Sequence, residues 1–148
     1  MNKYFKYFFK DEIFPNHFDW AILLLRTTSS FYMIYYHGIG KIMSDARTWE
    51  WLGRAALSPL GIQSSYIFFG FIAALSESIL PFLVIIGFFT RIACVFIIFT
   101  MLFAGLYHIS NGESPESAFI YMIIYITTFI LGSGKFSLDY FLTNKKNK

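Results

Sequence analysis

Glu77 stands in the stretch ALSESILPFLVI and is the single formally charged residue between positions 66 and 87. A carboxylate inside so long an apolar run needs a partner or a proton. Chemically it offers a proton carrier or a polar anchor for a ligand headgroup. Arg26, in the preceding apolar segment, is the expected partner, in an ion pair that fixes helix register. The two roles are compatible. His37 and His108 end two further apolar segments and are expected at one depth near the outer surface, close to Lys41 and Glu116. Two such histidines suit several arrangements. They can bond backbone or water at the interface, or hold a quinone or other polar headgroup between them. They also meet the minimum for axial ligation of a haem, a reading ranked below the quinone. A single metal ion shared with Glu116 ranks lower still, and no metal site is assigned.

These residues must be carried by membrane-spanning elements. The chain has 148 residues, 56% hydrophobic, 22% aromatic and only 14% charged, where a soluble domain carries about 25% charged residues. Apolar segments at about 20–40, 66–87, 91–109 and 117–131 are each near the length that crosses about 30 Å of hydrocarbon at 1.5 Å per residue. The sequence therefore reads as a single all-α integral membrane domain over 1–148, a transmembrane four-helix bundle. Residues 41–65 mix Trp49, Trp51 and Leu52 with Asp45, Arg47, Glu50 and Arg54, which suggests an amphipathic interfacial helix ended by Ser58-Pro59. The lysines and aromatics of MNKYFKYFFKDEIFPNHFDW suit an N-terminal interfacial helix and lack the apolar core of a signal peptide.

Lysine and arginine counts orient the bundle. Eight (Lys3, Lys6, Lys10, Arg91, Lys135, Lys145, Lys146 and Lys148) fall on one side, against Lys41, Arg47 and Arg54 on the other. Both termini are thus expected in the cytoplasm, with the chain in the cytoplasmic (inner) membrane. The net charge of +3 comes without a basic stripe, so nucleic acid is not an expected partner. Cys94 is the single cysteine, which excludes an intramolecular disulfide or an internal dithiol redox centre.

Charged side chains at mid-membrane cost about 2.5–3.5 kcal/mol on insertion scales, so they face a bundle interior or water. Helical spacing groups Arg26, Ser29, Ser30, Met33 and His37 on one face. It groups Gly70, Ala73, Ala74, Glu77 and Pro81 on a second, and Thr100, Met101, Ala104, Gly105 and His108 on a third. Tyr121, Tyr125 and Thr128 form the fourth. Glu77 and Tyr125 are expected near the midplane, with Arg26 about one turn towards the cytoplasm. Candidate ligand-binding residues are His37, Lys41, Glu77, His108 and Tyr125. Arg91 opens the third segment and Asp139 follows the fourth on the same side, which reads as a structural ion pair.

The same residues carry a resemblance. HGIGK is similar to the His-Gly-x-x-Lys element of the DoxX family, and ESILPFLVIIGFFTRIACVFIIFTML resembles its block of a membrane glutamate followed by Gly-x-x-Thr-Arg. GSGKFSLDYFL is similar to its closing signature, with Ser133 where proline is common and Lys135-Phe136 in place of Arg-Tyr. The resemblance covers about residues 20–142 and implies a four-helix membrane fold among redox-associated membrane proteins. It carries over Arg26, His37, Lys41, Glu77, Arg91, His108 and Asp139 as the polar positions.

Three functions fit. The first is an accessory or quinone-interacting subunit of a membrane oxidoreductase system. His37, Lys41 and His108 would bond the quinone oxygens and Glu77 would handle the proton, beside a separate redox enzyme subunit. The second is a small transporter of a weak acid or proton-coupled solute, with Glu77 and Arg26 as a gate, in a chain that oligomerises. The third is a non-catalytic assembly or scaffold subunit whose polar residues lock the bundle. The residues do not settle whether the chain is itself an enzyme.

Overall fold

The computed structural model describes residues 15–145, and every regular element among them is helical. The proposed N-terminal interfacial helix falls almost wholly outside the described residues. A first rod comprises α1 (His17–Met33), a π-helical turn (Ile34–Gly38) and α2 (Ile39–Ile42). After it comes α3 (Ala46–Leu57), started by Asp45, whose carboxylate accepts from the Thr48 amide at 3.2 Å. The second rod is α4 (Tyr66–Glu77) followed by α5 (Ile79–Ile86). Then come α6 (Thr90–Ser110), α7 (Glu116–Leu131) and a tail helix α8 (Leu138–Lys145).

The second rod, Tyr66–Ile86, and α6 are each 21 residues long and apolar enough to cross a membrane. The other two apolar segments fall short of that measure. α7 is 16 residues, and the first rod is 17 residues of α-helix before its π turn. The predicted inward faces are largely those the fold buries: Arg26, Ser29, Ser30 and Met33 on α1, Gly70, Ala74, Glu77 and Pro81 on the second rod, and Tyr125 and Thr128 on α7. Met33, Val84, Ala93, Cys94, Ile97, Met101 and Tyr125 form the core. Hydroxyls of Thr27, Ser29, Ser76, Thr100 and Thr128 bond back to carbonyls four residues earlier, which satisfies them within their own helix.

The connecting helix α3 lies lengthwise on α4 instead of standing apart from the rods. Gly53 meets the backbone of Tyr66, and Gly70 meets the backbone of Trp49. The paired numbers run in opposite directions, so the two helices are antiparallel, with glycines where the backbones touch.

Both rods are distorted, and at the same place. Pro81 has no amide proton, so the carbonyl of Glu77 loses the donor four residues ahead. The helix breaks at Ser78 (φ −119°, ψ −70°). Its amide tightens onto Leu75 O (3.3 Å) while its hydroxyl takes Ala74 O (2.6 Å), the carbonyl that amide would otherwise bond. Opposite, the first rod widens into its π turn, and Gly38 of that turn rests on the Glu77 carbonyl.

At the other end the tail clamps the Gly87–Phe89 turn. Gly87 and Phe89 both take positive φ, at 69° and 48°, a conformation that strains a phenylalanine. Asp139 holds it by accepting from the Phe89 amide (2.9 Å), the Thr90 amide (3.0 Å) and the Thr90 hydroxyl (2.8 Å), capping α6 from outside the helix. Its own amide donates to Gly87 O at 2.8 Å. This corrects the expected Arg91–Asp139 pair: Asp139 is occupied by the start of α6, and Arg91 makes no ion pair among the described residues.

Gly38 and Gly40 give a matched test of the contact between the rods. A Cβ at Gly38 collides with the Glu77 backbone, while at Gly40 it meets open space. Gly38→Ala is expected to lose about 1–3 kcal/mol by overpacking, and Gly40→Ala to be neutral or to gain up to about 1 kcal/mol of helix propensity. Reversible unfolding of both variants in detergent measures the difference.

Candidate functional site

Glu77 is 2% exposed, and its Oε2 accepts from Lys41 Nζ at 2.5 Å. Lys41 is 29% exposed, so the pair joins a buried carboxylate to an ammonium that still reaches the surface. Lys41 owes its position to its surroundings. The π turn immediately before α2 shifts the helical phase of everything after it, and the Lys41 carbonyl accepts from Trp49 Nε1 (2.8 Å) and Ser44 Oγ (2.6 Å). Trp49 is set in turn by its ring contact with Phe71, 4.8 Å between centroids. Helix α3 thus fixes the backbone from which Lys41 reaches Glu77.

The expected Glu77–Arg26 pair is not formed. Arg26 is 1% exposed and donates to Val84 O (3.3 Å) and to Phe136 O. Val84 lies seven residues past Glu77, about two helical turns away, and not the single turn expected. The guanidinium sits at the carbonyl end of α5, where the helix dipole is negative, and within electrostatic range of Asp139. Its Nε is a buried donor with no partner among the described residues. Arg26 therefore ties α1, α5 and the tail loop together, while Glu77 takes Lys41.

His37 lies in the π turn, within electrostatic range of both Glu77 and Lys41. Its ring stands edge-on to Tyr121 of α7, with centroids 5.5 Å apart, and its nitrogens bond to nothing among the described residues. Tyr125, expected as a ligand contact, is wholly buried, and its hydroxyl pairs with Ser30 Oγ at 2.9 Å. It braces α7 against α1 and lines no surface.

His108 is not brought to this group. Its Nδ1 pairs with Glu113 Oε2 at 2.6 Å, and its ring packs on Tyr107. His108 pairs locally with Glu113 while His37 lies near Glu77 and Lys41, and no contact among the described residues joins the two histidines. No three His, Cys, Asp or Glu side chains converge among the described residues. Trp49, read from the sequence only as part of an interfacial helix, sets Lys41 together with Ser44, and neither Ser44 nor the Asp19–Lys135 pair (3.3 Å) at the far end was singled out from the sequence.

A groove of about 770 Å³ between α3 and α4 shares Trp49 with the Lys41 site and is walled by Tyr66, Ile67, Phe68 and Phe71, with Glu50 at its edge. A second cleft of about 630 Å³ lies at the tail end, around Arg91, Gly132 and Lys135.

Removing Lys41 alone strands a buried carboxylate, which typically costs about 3–5 kcal/mol. Lys41→Met is expected to lose that much in detergent unfolding. Adding Glu77→Gln is expected to restore most of it, because the remaining group is neutral.

Residues 21–109, more than half of the chain, match the DoxX family model. No curated protein and no solved structure matches the chain. The matched range leaves out the tail but takes in His37, Gly38, Lys41 and Glu77, which form and surround the ion pair, together with Arg26, and on this match the chain belongs to the DoxX family.

Proposed function

We propose that the chain is an accessory subunit of a membrane oxidoreductase system that binds a quinone headgroup beside Lys41, Glu77 and His37. In this reading the second rod, α6 and α7 cross the cytoplasmic membrane with both termini in the cytoplasm, and the first rod, continued by α3, runs alongside the second. The observation that carries it is the buried Glu77–Lys41 pair at the one point where both rods are distorted, with His37 in electrostatic reach. Such a pair is a poor device for stability alone, since desolvation offsets most of its attraction.

The site's parts suit a carbonyl-bearing ring. Lys41 has donors beyond the one given to Glu77, and His37 has a ring nitrogen to give or take a proton. The aromatic groove that shares Trp49 with Lys41 offers an apolar bed for the rest of such a molecule. Reducing a quinone to a quinol takes two electrons and two protons. The electrons come from a separate redox subunit, because a single cysteine leaves this chain no dithiol of its own. The chain's share is to orient the headgroup and pass protons, with Glu77 holding the Lys41 ammonium in place.

The test is solvent extraction of protein purified in mild detergent or nanodiscs, with quinone counted per chain. Wild type is expected to retain close to one. His37→Ala and Lys41→Met with Glu77→Gln are expected to lose at least tenfold in occupancy, about 1.4 kcal/mol. His108→Ala should retain it. A quinone-free wild type, with unchanged quinone reduction in membranes carrying His37→Ala, sinks the reading.

A further inference from the structure

We infer that the cleft at the tail end of the bundle binds one anionic phospholipid, with its phosphate on Arg91 and its acyl chains against Ile92 and Leu131. The inference rests on the proposed membrane placement of α6 and α7, not on quinone binding. The cleft encloses about 630 Å³ where α6 begins and α7 ends, against the start of α1. α6 is a 21-residue apolar helix and Leu131 closes the apolar run of α7. The opening therefore stands where hydrocarbon gives way to headgroups. Its lining is mixed to match. Phe89, Ile92 and Leu131 are exposed apolar walls, while Arg91, Lys135 and Asn144 supply polar groups.

Arg91 is the anomaly, because both carboxylates that line the cleft are engaged by other groups. Asp139 accepts from the amides of Phe89 and Thr90 and from the Thr90 hydroxyl. Asp19 accepts from the Lys135 amide at 2.9 Å and faces its ammonium at 3.3 Å. Arg91 is left without a counter-charge in a cleft that holds two carboxylates. Arg47 and Lys145 also lack one among the described residues, but they line neither cleft described above. The Arg91 guanidinium is already seated: its Nη2 lies over Gly132, 3.7 Å from where a Cβ would stand. Gly132 takes a φ of 80°, which favours glycine, so the loop closing α7 presents bare backbone there. A planar guanidinium offers a fork of donors that fits two phosphate oxygens. At headgroup depth the abundant phosphate is that of a lipid, and basic pockets between spanning helices take such headgroups. Lys135 lines the same cleft and keeps one donor beyond those given to Asp19 and Asn16. A zwitterionic headgroup would bring its own ammonium against Lys135, which selects a lipid of net negative charge.

The experiment titrates the protein in mild detergent with phosphatidylglycerol or phosphatidylcholine of matched acyl chains, and native mass spectrometry counts the lipids bound. Wild type is expected to take one phosphatidylglycerol at least tenfold more tightly than phosphatidylcholine. That preference needs no variant and tests the proposal by itself. Arg91→Gln is expected to lose at least tenfold in phosphatidylglycerol affinity. Arg47→Gln, at a cation equally unpaired but outside the cleft, is expected to lose nothing. The Arg91 side chain makes no ion pair among the described residues, so Arg91→Gln is expected to unfold at the wild-type temperature. Glycerophosphoglycerol, the headgroup without its chains, is expected not to displace the lipid at millimolar concentration. Displacement would assign the cleft to a soluble phosphate ester and overturn the lipid. Equal affinity for the two lipids overturns the proposal, as does normal binding in Arg91→Gln. Equal losses in Arg91→Gln and Arg47→Gln would reduce the effect to general surface charge and overturn it too.

Discussion

Pro81 cannot donate a backbone hydrogen bond, and much of this molecule is arranged around the carbonyl it leaves unpaired. The carbonyl belongs to Glu77, so a backbone defect and a buried carboxylate fall on one residue. Ser78 absorbs part of the break through its hydroxyl on Ala74 O. Gly38 absorbs the rest by bringing the first rod's backbone against the open carbonyl, where any side chain would collide. The π turn that ends at Gly38 advances the rest of the rod by one residue, and with it the direction from which Lys41 departs. Break, bulge, glycine and ion pair are thus one device, and altering any of them changes where the Lys41 ammonium stands.

The opposite end has its own lock, built from charges that do not touch each other. Arg26 caps the carbonyl end of α5, and Asp139 caps the amide end of α6. Between them lies the turn with Gly87 and Phe89 in left-handed conformations. A cation at a helix C-terminus and an anion at the next N-terminus both oppose the local dipole, so each charge is stabilised without a direct partner. The tail loop joins them, since Phe136 O accepts from Arg26 and Asp139 follows three residues later. This explains how an arginine can be buried inside an apolar bundle without a carboxylate in contact. It also frees Glu77 for another role.

Most inward faces were legible in the sequence because helical periodicity reports which residues share a side. Arg26, Ser29, Ser30 and Met33 follow from spacing alone, as do Glu77 with Pro81 and Tyr125 with Thr128. Periodicity carries no information about how far one helix slides along its neighbour. The expected Arg26–Glu77 pair assumed that the first two apolar segments begin and end at matching depths. In the fold the first rod stops at Ile42, alongside the interior of the second, and α3 covers the remaining length of α4. That offset sets Arg26 against Val84 and delivers Lys41, outside the predicted span, to Glu77. The π turn was equally hidden, because a one-residue bulge leaves no compositional mark beyond a glycine. His108 has a local partner that periodicity does not show, Glu113, five residues along its own chain, whose Oε2 pairs with its Nδ1 at 2.6 Å.

The filled interior bears on which chemistry the ion pair can serve. Met33, Ile97 and Tyr125 are each wholly buried between the helices, and the Tyr125 hydroxyl is spent on Ser30. A solute crossing along the bundle axis would have to displace these side chains, and close-packed cores yield only at substantial cost. Glu77 reaches the flank instead through Lys41, which is 29% exposed. Access from the side suits a lipid-borne molecule that arrives within the bilayer and leaves the same way. Here one partner is sealed and the other faces outward, the arrangement that the proposed proton path between a lateral ligand and Glu77 requires.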